Sequence, residues 1–379
     1  MAHDLVKRYR ITDCTRCANE CATACPVYRF HGTWHPQHLA HLFLEKGSAG
    51  IERHRLLWCC VTCRACTQAC PYDVDVAGFI RELRIGRTDY QPVAGGLVHT
   101  YQREQAVLPQ GLQNRLSWVD GSMDLGRDGD TVLFVGCLPL FEVLFGESCG
   151  AHAIAIARSA IRVLNRLGLS PRILEDERCC GRDLYDIGDR ESFEKLAEHN
   201  IAALNGSGAT RVLTICPECA FTLRETYREH AGTLSFEVQH ITEFIAERVD
   251  RLALGTAGKG FAFHDPCYLC RYLGVVDAPR RILSAVSTGS LVELERQRTE
   301  APCCGAGSWV DHGPHTRAAV NERIIEAHRC GAETLVTACP KCLMLFHEVN
   351  PDCAWRQSPL VVKDLLTLVA SALDEDTEA

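Results

Sequence analysis

Arg211-Val-Leu-Thr-Ile-Cys-Pro-Glu-Cys219 returns 123 residues later as Thr334-Leu-Val-Thr-Ala-Cys-Pro-Lys-Cys342. Each stretch is a short apolar run rich in β-branched residues, the composition of a buried strand, and each delivers a Cys-x-x-Cys pair at its C-terminal end. Working outward, Cys179-Cys180-Gly181 precedes the first copy and Cys303-Cys304-Gly305 the second, with Cys137 and Cys267 further upstream; these offsets are 124 and 130 residues. A common period of about 125 residues is a duplication, and it sets the architecture of the C-terminal two-thirds of the chain.

Inside the copies, Thr131-Val-Leu-Phe-Val135 and Arg211-Val-Leu-Thr-Ile215 read as buried strands, with Thr334-Leu-Val-Thr337 the counterpart of the latter. Ile154, Ala157, Ile161 and Leu164 recur at spacings of three and four, with Arg158, Arg162 and Arg166 opposite, which predicts an amphipathic helix. Phe193, Leu196, Ile201 and Leu204 predict another, and Val320, Ile324 and Ala327 its equivalent in copy two. Strand–helix alternation predicts an α/β layer with mainly parallel pairing. The cysteines then fall where strands end and loops begin, the usual place for ligands in such sheets.

Residues 1–92 hold nine cysteines, a histidine-rich segment (His31, His35, His38, His41, His54) and helical connectors such as Leu39, Leu42 and Phe43. They read as a small helical domain. Residues 93–130 contain no cysteine and end in the polar, Gly-rich run Gly121-Ser-Met-Asp-Leu-Gly-Arg-Asp-Gly-Asp130, a linker composition. The expected division is 1–92, a linker over 93–130, a first module over 131–255 and a second over 256–379.

With 23 cysteines in 379 residues, the chain is far larger than the small secreted scaffolds that need disulfide staples, so the cysteines point to metal. Met1 to Arg10 carries Asp4, Lys7, Arg8 and Arg10 and no apolar segment, so a cytoplasmic location is expected. The longest apolar stretch, Thr131 to Phe145, is broken by Gly136, Pro139 and Glu142 and is too short to span a bilayer, so any membrane association is expected through a partner. A formal charge of -8 with scattered Arg and Lys argues against nucleic acid.

Cys60-x2-Cys63-x2-Cys66-x3-Cys70-Pro71 has the spacing of bacterial ferredoxins, in which three close thiolates hold one cubane and the fourth, before Pro, reaches the other. Cys14-x2-Cys17-x3-Cys21-x3-Cys25-Pro26 follows the same logic with one extra residue. The expectation is two 4Fe-4S clusters, one on Cys14, Cys17, Cys21 and Cys70, the other on Cys60, Cys63, Cys66 and Cys25. Zinc is the alternative, but it takes two Cys-x-x-Cys pairs per ion rather than three near cysteines and a distant Cys-Pro. Cys59 competes in register with Cys60, and the x2 spacing favours Cys60. The histidines between the runs read as helix-surface or packing residues.

Each repeat brings five cysteines: a lone Cys, the Cys-Cys-Gly pair and the Cys-x-x-Cys. Five thiolates exceed what tetrahedral zinc accepts, whereas a multi-iron cluster can use them. Together with His264-Asp-Pro-Cys267, Cys303-Cys-Gly-Ala-Gly307 and Thr337-Ala-Cys-Pro-Lys-Cys342, this pattern resembles the catalytic subunit of heterodisulfide reductase. Residues 57–84 resemble the ferredoxin-like small subunit of the same enzyme. Fusions of this layout also resemble the iron–sulfur subunits of glycolate oxidase and of anaerobic glycerol-3-phosphate dehydrogenase. The resemblance implies two noncubane 4Fe-4S clusters, one on Cys137, Cys179, Cys180, Cys216 and Cys219, the other on Cys267, Cys303, Cys304, Cys339 and Cys342. It implies that these sites carry any catalysis, the reduction of a disulfide or heterodisulfide. The chain departs from the family at Tyr268 and Cys270 after Asp-Pro-Cys, and at Ser308-Trp309.

Gly181 and Gly305 are expected either to let backbone pass close to a cluster or to serve as turns. His264 is expected to pack or cap, with orientation of a cluster ligand or protonation of a leaving thiolate as the functional alternative. Cys59, Cys149, Cys270, Cys330 and Cys353 read as small unligated hydrophobes. No Gly-x-Gly-x-x-Gly loop follows a predicted strand, so hydride chemistry belongs to a partner such as a flavoprotein. The expected function is the iron–sulfur subunit of a multi-subunit oxidoreductase that passes electrons to its Cys-Cys-Gly modules for disulfide reduction. The alternative is an electron conduit from a flavoprotein dehydrogenase to the quinone pool through a membrane-bound partner.

Overall fold

Each copy of the repeat folds around a three-stranded parallel sheet. The computed structural model describes residues 2–32, 34–51, 56–90, 92–230, 232–310, 313–350 and 360–373. His54 and Cys353 lie outside the described residues, and of His31 only the backbone is described. In copy one, β1 (Thr131–Phe134), β2 (Arg211–Thr214) and β3 (Glu237–His240) run in the order β1-β2-β3, with Val132 opposite Val212 and Val212 opposite Val238. In copy two, β4 (Phe261–Phe263), β5 (Thr334–Thr337) and β6 (Val361–Asp364) repeat that order, with Ala262 opposite Leu335 and Leu335 opposite Val362. The expected strands stand within one residue of their predicted ends, and β3, β4 and β6 complete the two sheets.

Parallel pairing needs crossovers, and helices supply them. Ala153–Arg166 buries Ile154, Ala157, Ile161 and Leu164 as the periodicity requires, together with Ile156, Ala160 and Val163. Arg190–Gly206 buries Phe193, Leu196, Ile201 and Leu204, and Pro314–Arg329 buries Val320, Ile324 and Ala327. A fully buried Ile or Leu contributes about 1.5–3 kcal/mol relative to an exposed one, so these stripes hold the helices on the sheets.

The two copies pack reciprocally. Leu365–Ala372, which follows β6, lies against Ala153–Arg166 of copy one, while Ile241–Ala246, which follows β3, lies against Ala278–Ala285 of copy two. One continuous hydrophobic core therefore runs through both. Residues 93–130, expected as a linker, carry the helix Leu97–Val107, whose His99, Gln102 and Gln105 are buried.

The N-terminal region is helical, as expected. Its helix Val76–Arg84 starts at an Asp75 cap whose carboxylate accepts from Gly78 N at 3.0 Å, and it buries eight of its nine residues, Arg81 and Arg84 among them. Their partners explain that burial. Asp186 of copy one accepts from Arg81 Nε and Arg182 Nη2 at 2.6 Å each, and from Thr62, Tyr268 and Ser308 hydroxyls at 3.2 Å each. One carboxylate thus ties the N-terminal domain to both copies. Burial would raise its carboxyl, but Arg182 and Arg81 outweigh burial and hold it far below the usual range.

Candidate iron–sulfur sites

The first set of thiols collects around a tight 3-10 turn, Ile11–Thr15, entered through Arg10 in a left-handed conformation (φ 54°). Cys14 sits on that turn, Cys21 on the short helix Glu20–Ala24, and Cys70 approaches from the second run. Burial, then the neighbouring Cys21, Cys70 and Cys17, push the Cys14 thiol up to about 12. Burial chiefly raises Cys21 to about 11. Gln37 Nε2 donates to Cys14 O at 2.7 Å, Cys17 O at 3.2 Å and Cys17 Sγ at 3.5 Å, so the helix Pro36–Ile51 clamps the turn. His38 and His41 are exposed and His35 half-buried on that helix and its start, the surface role expected of them.

The second set lines one small cavity: Cys25, Cys60, Cys63 and Cys66, with Trp34, Val61 and Val76 as apolar walls. Thr62 and Arg64 take positive φ (50° and 60°), which winds the loop so that its thiols turn inward. Thr62 N donates to Cys60 Sγ at 3.4 Å. Burial raises the Cys25, Cys60 and Cys66 thiols above their ordinary range.

In copy one, the Cys137 and Cys179 sulfurs lie 2.9 Å apart and those of Cys180 and Cys219 3.4 Å apart, contacts well beyond a disulfide bond. In copy two, Cys267, Cys303, Cys304, Cys339 and Cys342 line one small cavity, with Cys303–Cys267 at 3.8 Å and Cys304–Cys342 at 3.1 Å. The two glycines act alike: Gly181 (φ 78°) and Gly305 (φ 93°) turn left-handed, and each N–H donates to the sulfur two residues back at 3.4 Å. A Cβ there would also meet Phe193 Cδ2 or Thr316 Cγ2 at 2.9 Å, so the Cys-Cys-Gly turn needs its glycine twice over.

The sites are contiguous. Cys216 contacts Cys219 within copy one and Cys339 of copy two, which holds its thiol well below the ordinary value against burial. A side-chain hydrogen bond from Cys303, opposed by burial and assisted by Arg271, brings the Cys63 thiol down to about 6. Val61 borders both the second N-terminal cavity and the copy-two cavity. The Cys25, Cys60, Cys63 and Cys66 set therefore adjoins the copy-two thiols, and those adjoin the copy-one thiols.

Sequence reasoning missed several residues here. Gln102 Nε2 donates to Cys179 Sγ at 3.3 Å and to Asp183 Oδ2 at 2.8 Å. Lys341, buried between Cys339 and Cys342, pairs with Asp183 and with Glu218, the latter at 2.5 Å. The opposite charges at matching positions of the two Cys-Pro-x-Cys motifs were the available signal. His264, fully buried, accepts from Arg323 Nε on its Nδ1 at 3.3 Å, and one ring nitrogen lies within 4.8 Å of the Cys304 and Cys342 sulfurs. Of the cysteines outside the sets, Cys59 and Cys270 are buried, while Cys149 and Cys330 are half-buried.

The donor chemistry fits iron–sulfur clusters. The atoms gathered are chiefly thiols, those of the second N-terminal set and of copy two each line one cavity, and the His264 ring lies beside the Cys304 and Cys342 sulfurs.

Known proteins share both halves of this arrangement. A 4Fe-4S dicluster domain matches residues 10–74, and a cysteine-rich domain matches twice, over 132–224 and 261–347. A component of the dihydromethanophenazine:CoB–CoM heterodisulfide reductase from Methanosarcina acetivorans is 30% identical, over 98% of this chain and 96% of that one. An EtfAB:quinone oxidoreductase from Syntrophomonas wolfei is 27% identical over 76% of this chain and 43% of its own length. A hypothetical protein from Helicobacter pylori shares the fold at TM-score 0.54 and 11% identity, covering 91% of this chain and 68% of the other. Among the described residues no helix is long and apolar enough to cross a membrane. With matched identity along nearly its whole length, the chain belongs to the heterodisulfide reductase family, as an iron–sulfur electron-transfer subunit that joins a dicluster domain to two cysteine-rich domains.

Proposed function

We propose that the chain carries electrons from a flavoprotein or other redox subunit through two ferredoxin-type 4Fe-4S clusters to noncubane-type clusters in the two Cys-Cys-Gly modules, for reduction of a disulfide or heterodisulfide. The ligands would be Cys14, Cys17, Cys21 and Cys70; Cys25, Cys60, Cys63 and Cys66; and the five thiols of each module, with the domains divided at 92, 130 and 255. The observation that carries this reading is the unbroken line of thiol contacts, Cys63 to Cys303 in one direction and Cys339 to Cys216 in the other. Bound clusters would supply one-electron chemistry, and two such sites side by side match the two electrons a disulfide takes up.

The protein's own part is positioning and exclusion of water. Asp186 of copy one accepts from Thr62 of the Cys60–Cys66 loop and from Tyr268 and Ser308 of copy two, the Cys25, Cys60, Cys63 and Cys66 thiols sit behind apolar walls, and Gln102 and His264 stand beside module sulfurs.

A second reading, transfer to a quinone-linked partner without disulfide chemistry, draws support from one feature. The cation lining the copy-two cavity, Lys341, already has its charge matched by Asp183 and Glu218, which leaves it ill-placed to receive an anionic substrate. The test is anaerobic reconstitution followed by single turnover. About 16 iron atoms per chain and oxidation of the reduced protein by added disulfide support the first reading. Oxidation only by a quinone-linked partner supports the second, and stoichiometric zinc with little iron overturns both.

A further inference from the structure

Arg271 stands between two of the sites without belonging to either ligand set. Its Nε donates to Cys63 O at 2.6 Å, and its Nη1 to Ala301 O at 2.6 Å and Thr299 O at 3.1 Å. Its Nη2 is buried and meets no hydrogen-bonding oxygen among the described residues. The charges that act most strongly on the guanidinium are Cys63 from the N-terminal domain and Cys270, Cys267 and Cys303 from copy two. No carboxylate is among these four. A guanidinium cannot lose its proton, so this is a fixed positive charge bound to the Cys63 carbonyl and beside thiols of both sites, with Asp73 and Asp75 lining the same open pocket.

The duplication sharpens its meaning. Arg271 follows Cys267 by four residues, and the residue four after Cys137 in copy one is Phe141. Phe141 is buried against Trp309, with ring centroids 5.4 Å apart. At the matching position, copy one therefore has an aromatic ring in place of the cation.

We propose that Arg271 is the charge-compensating residue of the junction, favouring arrival of an electron at the copy-two site from the Cys25, Cys60, Cys63 and Cys66 site and so making copy two the module where electrons enter. One electron leaves the first site and one arrives at the second. No covalent bond forms or breaks, and no proton is required, because the fixed guanidinium offsets the negative charge added on the copy-two side, where three of its four sulfur neighbours stand. The proposal rests on the relay reading above.

The experiment uses the full-length, cluster-loaded protein as wild type, R271K and R271Q, with dithionite as reductant and midpoint potentials read from the paramagnetic signals. R271K keeps the charge and loses the planar fork; R271Q keeps polarity and loses the charge. The expected result is that R271Q lowers the potential of the copy-two site relative to the Cys25, Cys60, Cys63 and Cys66 site by at least a tenfold change in the transfer equilibrium, about 59 mV for one electron, while R271K stays near wild type. Signals from the Cys14, Cys17, Cys21 and Cys70 site should not move in either variant. If R271Q and R271K shift alike, Arg271 serves only to hold the backbone carbonyls together and the proposal falls. Unchanged potentials in both overturn it equally. Failure of the relay reading would look different: wild type itself would show no copy-two signal after reduction.

Discussion

Glu218 and Lys341 occupy the same place in the two copies of the repeat, and they face each other as a buried ion pair 2.5 Å apart. Asp183 adds a second carboxylate to the same ammonium. The duplicated motif has thus diverged to opposite charge at the point where its two copies meet. Removing one partner leaves a buried charge uncompensated, which costs about 3–5 kcal/mol. Lys341→Met is expected to destabilise the protein by that amount in urea unfolding. Adding Glu218→Met should restore at least about 1 kcal/mol of the loss, since partners in contact are not additive. Strict additivity of the two substitutions would show that the pair is not coupled.

Gly307 is expected to tolerate no side chain. A Cβ there would lie 2.3 Å from Val61 O, so Gly307→Ala must push the Cys60–Cys66 loop away from copy two. Overpacking of this kind costs roughly 1–3 kcal/mol. The informative readout is electron transfer rather than stability. After reduction of the N-terminal domain, the copy-two signal should appear at least about tenfold more slowly than in wild type, with iron content unchanged.

Asp364 predicts a pH dependence away from the sites. It caps Leu365–Ala372 by accepting from Leu366 N at 2.8 Å, yet burial pushes its carboxyl up to about 7. The folded state then holds a proton that the unfolded chain, with a carboxyl near 3.9, releases. Stability should therefore fall as pH rises from about 4 through about 7. Asp364→Asn keeps an acceptor oxygen and removes the charge. Melting curves of the two proteins should coincide near pH 4 and separate at pH 8, the variant being more stable by on the order of 1–3 kcal/mol. Parallel pH profiles would contradict this account.

The proposed ligand sets exchange their fourth cysteine between the two N-terminal runs, which iron analysis of double variants tests. Cys70 acts on Cys14 and Cys21, whereas Cys25 lines the cavity of Cys60, Cys63 and Cys66. Cys70→Ala with Cys14→Ala should lose about four iron atoms, no more than either alone. Cys70→Ala with Cys25→Ala should lose about eight. The reverse pattern would assign each run its own cluster.

Much of this protein was legible from the sequence alone, and what was legible is local or repeated. The ferredoxin spacings, the period of about 125 residues and the strands near 131, 211 and 334 all rest on order along the chain. Strands β3 and β6 escaped because each exposes its first residue and alternates over only four positions, and β4 because Phe261–Phe263 is three residues long. The helix Leu97–Val107 escaped because its buried face is polar, His99, Gln102 and Gln105, serving partners that no periodicity reveals.

By itself the sequence determined which cysteines travel together and that the cysteine-rich unit is doubled, because short spacings restrict which thiols can share a site. Only the tertiary structure decided that Cys63 meets Cys303, that Cys216 meets Cys339, and that Lys341 and Arg271 sit among them. Those neighbours are 123 to 240 residues apart, and their meeting depends on how whole domains dock, through Asp186 and the reciprocal helices, rather than on any preference of the local chain.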